Sequence, residues 1–243
     1  MLLKVRASTS FWPLLSTLIG ACIGAVGMFL SFSAATQIAP STAEIANYTG
    51  LHAAAQRGDV AQIQRLGTSS TLVNATDSYG RTPLHVAAFA KQREAIRALV
   101  KAGADLSKLE NDRYDAVTIA SVADDEETLR VLLQLGASAK LTTSRWDGTA
   151  LIAAAHLGHD GVVRQLVQAG APLDHVNNLH WTAAIEAVVL GNGGARHQAS
   201  LKALIDAGAN LKLTDRGGQT PLQLAKARGF SEMVTMLEKA DKK

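Results

Sequence analysis

The sequence predicts an all-α solenoid of about six helix-turn-helix units with β-turn fingers, preceded by an apolar N-terminal signal or anchor helix. Three observations carry this expectation: two markers that recur in phase, an apolar pattern within each period that suits a pair of short helices, and a charge-free start. The first marker is the hexad Thr82-Pro83-Leu84-His85-Val86-Ala87, with related hexads beginning at Thr49, Asp115, Thr149, Thr182 and Thr220, spaced 33, 33, 34, 33 and 38 residues apart. The second keeps the same beat as Ala102-Gly103-Ala104-Asp105, Leu135-Gly136-Ala137-Ser138, Ala169-Gly170-Ala171-Pro172 and Ala207-Gly208-Ala209-Asn210. Self-similarity at such a period marks stacked repeats. One pair of short helices cannot bury its own apolar face, so each unit needs neighbours and three or more must stack.

The second unit shows why the letters recur. Thr82 suits a helix N-cap and Pro83 the first helical position, where no amide hydrogen is needed. Leu84, Ala87 and Ala88 give the first helix a small apolar face, and Ile96, Leu99 and Val100 give the second its stripe at helical spacing. Gly103 then ends that helix in a left-handed C-cap, and the chain from Asp105 to the next hexad makes a finger. The units span roughly residues 45–240 within a repeat domain at 41–243. The polar run from Glu238 to Lys243 suits a terminal cap, and the first unit must close the other end. In the third unit Asp115 and Ala116 replace Thr and Pro, and Arg113 stands where glycine usually ends the turn. Asp is itself a good N-cap, so the helix survives.

The start of the chain reads differently. No charged residue lies between Arg6 and Glu44, and Leu14 to Leu30 is almost wholly apolar. Lys4 and Arg6 precede this run and the small residues Ser33, Ala34 and Ala35 follow it, the order of a secretory signal. Residues 1–40 are therefore a signal peptide or a membrane anchor. The stretch from Phe11 to Phe32 is long for a signal core and fits a bilayer span, so cleavage and retention both stand. Basic residues stay inside, which places the repeat domain in the periplasm or on the extracytoplasmic face of the inner membrane. Ile19-Gly20-Ala21-Cys22 is similar to a lipoprotein box, though the apolar run continues past Cys22. Gly20 and Gly24 form a GxxxG pair that lets anchors pack, or are simply glycines in a signal core.

The composition excludes several classes. With 47% hydrophobic and 19% charged residues the chain has material for a full core and is not a disordered polymer. The net charge is +3, and the part from Glu44 onward is near +1, with 22 basic against 21 acidic side chains of alternating sign. That pattern sets nucleic acid aside. Cys22 is the only cysteine, so disulfides and cysteine metal sites are excluded from the repeat domain.

Thr82 to Ala87 matches T-P-L-H-x-A without a mismatch, and with the helix-end marker it makes the chain resemble the ankyrin-repeat family over about four fifths of its length. The resemblance implies a curved solenoid that binds partners, mostly proteins, through its concave inner-helix face and turn fingers. It implies no chemistry and no cofactor. It also implies that His52 and His85 brace turn hydrogen bonds. The fifth unit, with Asn177-Asn178-Leu179-His180-Trp181-Thr182 and Gly191-Asn192-Gly193-Gly194, is similar to bacterial exported ankyrin-repeat proteins.

Aligning the units names the positions the repeat leaves variable. The candidate partner-binding residues are Tyr79, Arg81, Phe89, Tyr114, Arg145, Trp146, His156, Trp181, Asn192, Arg196 and Arg216. Trp, Tyr and Arg dominate interface energies, and Tyr79, Tyr114, Trp146 and Trp181 all fall on this set. The alternative is that Trp146 and Trp181 cover neighbouring fingers. About five extra residues near Asn192 to Arg196 predict a loop between the helices of the fifth unit, either a contact or a tolerated insertion. Asp124-Asp125-Glu126-Glu127 starts a helix where the dipole favours carboxylates, and is a solvated helix start or a site for a cation or basic partner. His156, His159 and Asp160 have the spacing of a metal pair, but the repeat places the histidines at a helix end and the next helix start, and no further ligands stand in register. Catalytic motifs are lacking. An exported binding module leads, a membrane-tethered assembly factor follows, and an enzyme or small-molecule binder comes last.

Overall fold

The computed structural model describes residues 38–242; of the signal or anchor expected over residues 1–40, residues 1–37 lie outside the described residues. Among the described residues no helix is long and apolar enough to cross a membrane.

Six helix pairs follow the six hexads. A short helix α1 (Thr42–Asn47) precedes the first pair, α2 (Gly50–Arg57) and α3 (Val60–Leu66), and the single turn α4 (Ser70–Val73) follows it. The second pair is α5 (Pro83–Phe89) and α6 (Arg93–Lys101), the third α7 (Ala116–Val122) and α8 (Glu126–Gln134). Strands β1 (Thr142–Thr143) and β2 (Gly148–Thr149) lead into the fourth, α9 (Ala150–Leu157) and α10 (Asp160–Gln168). The fifth is α11 (Ala183–Val189) and α12 (Ala195–Asp206), the sixth α13 (Pro221–Ala227) and α14 (Ser231–Asp241). Each first helix packs on the first helices beside it, from α2 through α13, and each second helix on the neighbouring second helices, from α3 through α14.

The hexads work as their chemistry dictates. The side-chain oxygens of Thr82, Asp115, Thr149, Thr182 and Thr220 each accept the amide three residues on, at 3.5, 2.9, 3.3, 3.3 and 3.4 Å. Such a cap is worth about 1 kcal/mol over alanine. Asp115 makes the shortest of these bonds, as a carboxylate acceptor should, and burial raises its carboxyl above the ordinary range. The hexad-ending alanines Ala54, Ala87, Ala120, Ala154, Ala187 and Ala225 are all buried, which lets adjacent inner helices approach closely. Behind them Ile63, Ile96, Leu99, Leu129, Leu132, Leu166, Leu201 and Leu204 from the outer helices fill one continuous core. The turn from inner to outer helix needs a left-handed residue: Gly58 and Gly158 supply it at φ 72° and 70°, but Lys91 and Asp124 adopt it at 56° and 53°. A side chain there costs roughly 1–2 kcal/mol.

Two expectations are corrected. The fourth finger is a short antiparallel ladder, with Thr142 opposite Thr149 and Thr143 opposite Gly148, so the fold is not purely helical. That finger carries the one extra residue of the 34-residue spacing, and its turn closes through Ser144 and Asp147 at φ 64° and 51°. The extra residues of the fifth unit form a loop only in part. Three of the five lengthen α12 to 12 residues, against 9 in α6, α8 and α10, and two lengthen the connection before it, Leu190 to Gly194, against Ala90 to Gln92 in the second repeat.

Two sets of hydrogen bonds tie the repeats together. On the finger edge, the amides of Asn111, Ser144 and Asn178 donate to the carbonyls of Tyr79, Arg113 and Trp146 on the preceding finger, at 3.0, 2.9 and 3.0 Å. On the opposite edge, where inner helix turns to outer, side chains reach back one repeat. His159 Nδ1 donates to the Ser121 carbonyl (2.9 Å), His197 Nε2 to that of His156 (2.9 Å) and Arg228 to that of Gly191 (3.1 Å).

Candidate protein-binding face

The fingers are held by local polar chemistry. In the second, Asp77 Oδ1 accepts the amides of Tyr79 and Arg81, both at 2.9 Å. Glu110 does the same for Asp112 and Tyr114 with its two oxygens, and Asn177 for Leu179 and Trp181, all at 3.0 Å. An acceptor at the first finger position closes the turn on itself, so the finger is a fixed frame for its side chains.

The eleven residues singled out by repeat alignment do not form one surface. Tyr79 is 45% exposed at the tip of the second finger. Trp146 and Trp181 are half-buried on the fourth and fifth fingers. Arg145 and Arg216 are exposed and already bridge fingers: Arg145 donates to Asp112 at 2.8 Å and Arg216 to the Asn178 carbonyl at 2.5 Å. Phe89, at the end of α5, is half-buried against the core.

Four are used inside the fold. Arg81, only 1% exposed, donates to Asp77 at 2.7 Å and to Glu44 of α1, with its guanidinium 4.4 Å from the centre of the Tyr79 ring. Tyr114 is 8% exposed and belongs to the core. His156 contacts the buried carboxylate of Glu186 at 3.1 Å, and Asn177 donates to the other oxygen at 3.0 Å. A buried carboxylate needs such partners, and sequence reading missed Glu186, which stands where Val86 and Ile119 stand in their own helices. Arg196 lies in the first turn of α12 and reaches back to Asp160 (3.2 Å) and Asp124 (2.9 Å), on the edge away from the fingers. Asn192 accepts the Gly194 amide at 2.9 Å.

The acidic run is engaged by the chain itself. Asp125 caps α8 through Thr128 and receives Arg93 at 3.0 Å, while Asp124 receives Arg196. Glu127 pairs with Arg130 at 2.7 Å, and Glu126 accepts from Gln165. Among the described residues no group of three His, Cys, Asp or Glu side chains is arranged to hold a metal ion.

A row that sequence reading overlooked stands one residue before each finger turn: Thr76, Leu109, Thr142, Val176 and Thr214. Leu109 is 36% and Val176 41% exposed. They recur at the repeat spacing, six or seven residues before the hexad, so aligning the hexads a little further upstream finds them. Single exposed apolar residues are ordinary, but two large ones in the same repeat position, beside the tips that carry Tyr79, Trp146 and Trp181, sit on a rail with little freedom to move.

A stack of helix pairs with a bonded finger rail, and with its polar clusters turned to internal support, defines a repeat-type interaction module. The family description "Ankyrin repeats (3 copies)" matches residues 27–110 and 117–213. The chain belongs to the ankyrin-repeat family. It is 33% identical over 185 residues to the ankyrin repeat protein YahD of Escherichia coli (strain K12), covering 76% of this chain and 92% of that protein. The crystal structure of an ankyrin repeat domain from Acinetobacter baumannii AYE is similar at 41% identity with a TM-score of 0.73, over 79% of this chain and 97% of that one. A chain in the complex of the Bd0816 predatory endopeptidase with immunity protein Bd3460, from Bdellovibrio bacteriovorus, is similar at 25% identity with a TM-score of 0.61, over 79% and 98%. Ankyrin repeats are protein–protein interaction modules.

Proposed function

We propose that this chain is an exported, non-enzymatic binding module that engages a protein partner through its finger row and adjoining inner-helix face. The observation that carries the reading is the row itself: Leu109, Val176, Trp146, Trp181 and Tyr79 present apolar area on fingers locked to one another by backbone hydrogen bonds. Such preorganisation lowers the entropic cost of binding. Most of the charged side chains nearby are paired within the fold, which leaves the apolar and aromatic ones to make the difference between bound and free.

Export rests on the basic start, the apolar run and the small-residue exit of residues 1–37, and a repeat domain without cysteine suits an oxidising compartment. A complex between an endopeptidase and its immunity protein that includes a chain similar to this one supports a partner of the same kind, an enzyme held in check.

One experiment reads both parts. Cells carrying the wild-type chain or the Trp146→Ala/Trp181→Ala variant are fractionated, and what co-purifies is identified. The expected result is an extracytoplasmic protein that brings down one partner, at least tenfold less of it for the variant, and a melting temperature within a few degrees of wild type. Cytoplasmic recovery would overturn export, and undiminished capture by the variant would overturn the finger reading.

A further inference from the structure

Among the described residues the finger ladder has an open end. Its donors in the third, fourth and fifth repeats are the amides of Asn111, Ser144 and Asn178, each one residue past the finger's first position. The same position in the second finger is Ser78, which is exposed. Among the described residues the first repeat brings no finger to it: where the other hexads are preceded by a turn, the Thr49 hexad is preceded by α1. That helix has six residues and none of them is buried. Its tertiary hold is narrow. Glu44 meets Arg81, and the Tyr48 hydroxyl donates to Asp77 at 2.9 Å. A helix this short is marginal by itself and opens readily.

Arg81 stands at the repeat position of Tyr114, Trp181 and Gln219, which are buried, half-buried and exposed in turn, so burial here is set repeat by repeat. In the second repeat the chain covers that position with its own carboxylate. The guanidinium has Asp77 on Nε, Glu44 on Nη2 and the Tyr79 ring at 4.4 Å, while Nη1 is buried with no hydrogen-bond partner. An arginine fork with one nitrogen unused is built to take a carboxylate through two nitrogens, and Glu44 engages it through one.

We propose that α1 is an intramolecular stand-in for a ligand, and that this end of the ladder accepts an extended acidic segment of a partner protein. The segment's carboxylate displaces Glu44 from Arg81, its backbone carbonyl accepts the Ser78 amide, and its aliphatic stem lies against Tyr79. This is backbone addition to an open edge with one charged anchor. Glu44 competes as a tethered ligand at high effective concentration, so the site is closed until a segment with more contacts arrives.

The inference rests on the fingers being the binding face and adds the partner's chemistry at one end. It is tested by titrating the full-length chain with an acetylated, amidated six-residue peptide rich in glutamate, and with its lysine counterpart. Glu44→Gln is expected to bind the glutamate peptide about tenfold more tightly than wild type, the worth of one charge-assisted hydrogen bond. Tyr79→Ala in that background is expected to weaken binding severalfold with a melting temperature within a few degrees of its Glu44→Gln parent, and exchange of the Ser78 amide to slow when peptide is bound. Equal affinity for the two peptides, no gain in Glu44→Gln, or unchanged exchange at Ser78 would overturn it. If those fail while Trp146→Ala/Trp181→Ala still loses its partner, only the acidic edge is lost and the finger face stands.

Discussion

His85 lies with its Nδ1 facing the Thr82 amide at 3.0 Å and its Nε2 donating to the Lys108 carbonyl at 3.0 Å. An imidazole that accepts on one nitrogen and donates on the other is neutral, and burial pushes its pKa down to about 4. The ordinary value is near 6.5. The folded pKa lies below the unfolded one, so the stability this residue brings is fully present above about pH 6.5 and is lost as pH falls towards 4. The full loss is on the order of 3 kcal/mol. The sixth repeat shows a replacement that does not titrate: Gln223 Oε1 accepts the Thr220 amide at 2.8 Å in the same reciprocal cap. His85→Gln is therefore expected to fold and to lose less stability between pH 7 and pH 4 than wild type, measured by urea unfolding at each pH. Equal slopes would show that the ring carries no such linkage. Residues that obey the repeat were legible in sequence for this reason: Thr82, Pro83 and His85 act through neighbours three residues away. The burial of Arg81 and Tyr114 was not legible, because it is decided by α1 and by packing between repeats, which local spacing does not encode.

At the scale of elements, the fifth repeat departs most. Its extra residues lengthen both the connection before α12 and α12 itself, and the first turn of that helix sets Arg196 across Asp160 of the fourth repeat and Asp124 of the third. The His197 ring leans over Gly158 and Gly191, where a Cβ would meet ring atoms at 2.8 and 2.7 Å. One arginine thereby links three repeats on the edge away from the fingers. The guanidinium is more than half exposed, so the bridge is worth no more than about 1 kcal/mol and is screened by salt. Arg196→Ala is expected to lower unfolding free energy by about that amount at low ionic strength and by little at 1 M salt, with partner capture intact. A loss of capture without a loss of stability would return Arg196 to the binding surface. The spacing of 38 residues revealed the insertion, but whether extra residues loop out or lengthen a helix depends on what their side chains reach. Asp124 lies 72 residues before Arg196, beyond any pattern a repeat alignment displays.

For the whole molecule, stacking does two things at once. Inner helices approach closely through the buried hexad alanines, which sets the repeat-to-repeat distance, and at that distance finger backbones come within hydrogen-bonding reach. Apart from the reach of Arg196 to Asp124, the helices of each repeat pack on those of its neighbours, so stability is close to a sum of local terms and the rail is as rigid as the stack beneath it. The helical stack was legible because its period is written six times. The apolar row at Leu109 and Val176 was not, because its members are separated by threonines and gain meaning only when the fingers are seen aligned.

The most direct measurement is site-specific photo-crosslinking in living cells. A photoreactive phenylalanine analogue is placed at Leu109 or Val176 in the finger row and, as controls, at the exposed outer-helix positions Arg97 and Gln134. The expected result is one discrete crosslinked protein from positions 109 and 176 and none from 97 and 134. Crosslinks confined to the outer-helix positions, with the finger row silent, would contradict the finger face as the site of binding.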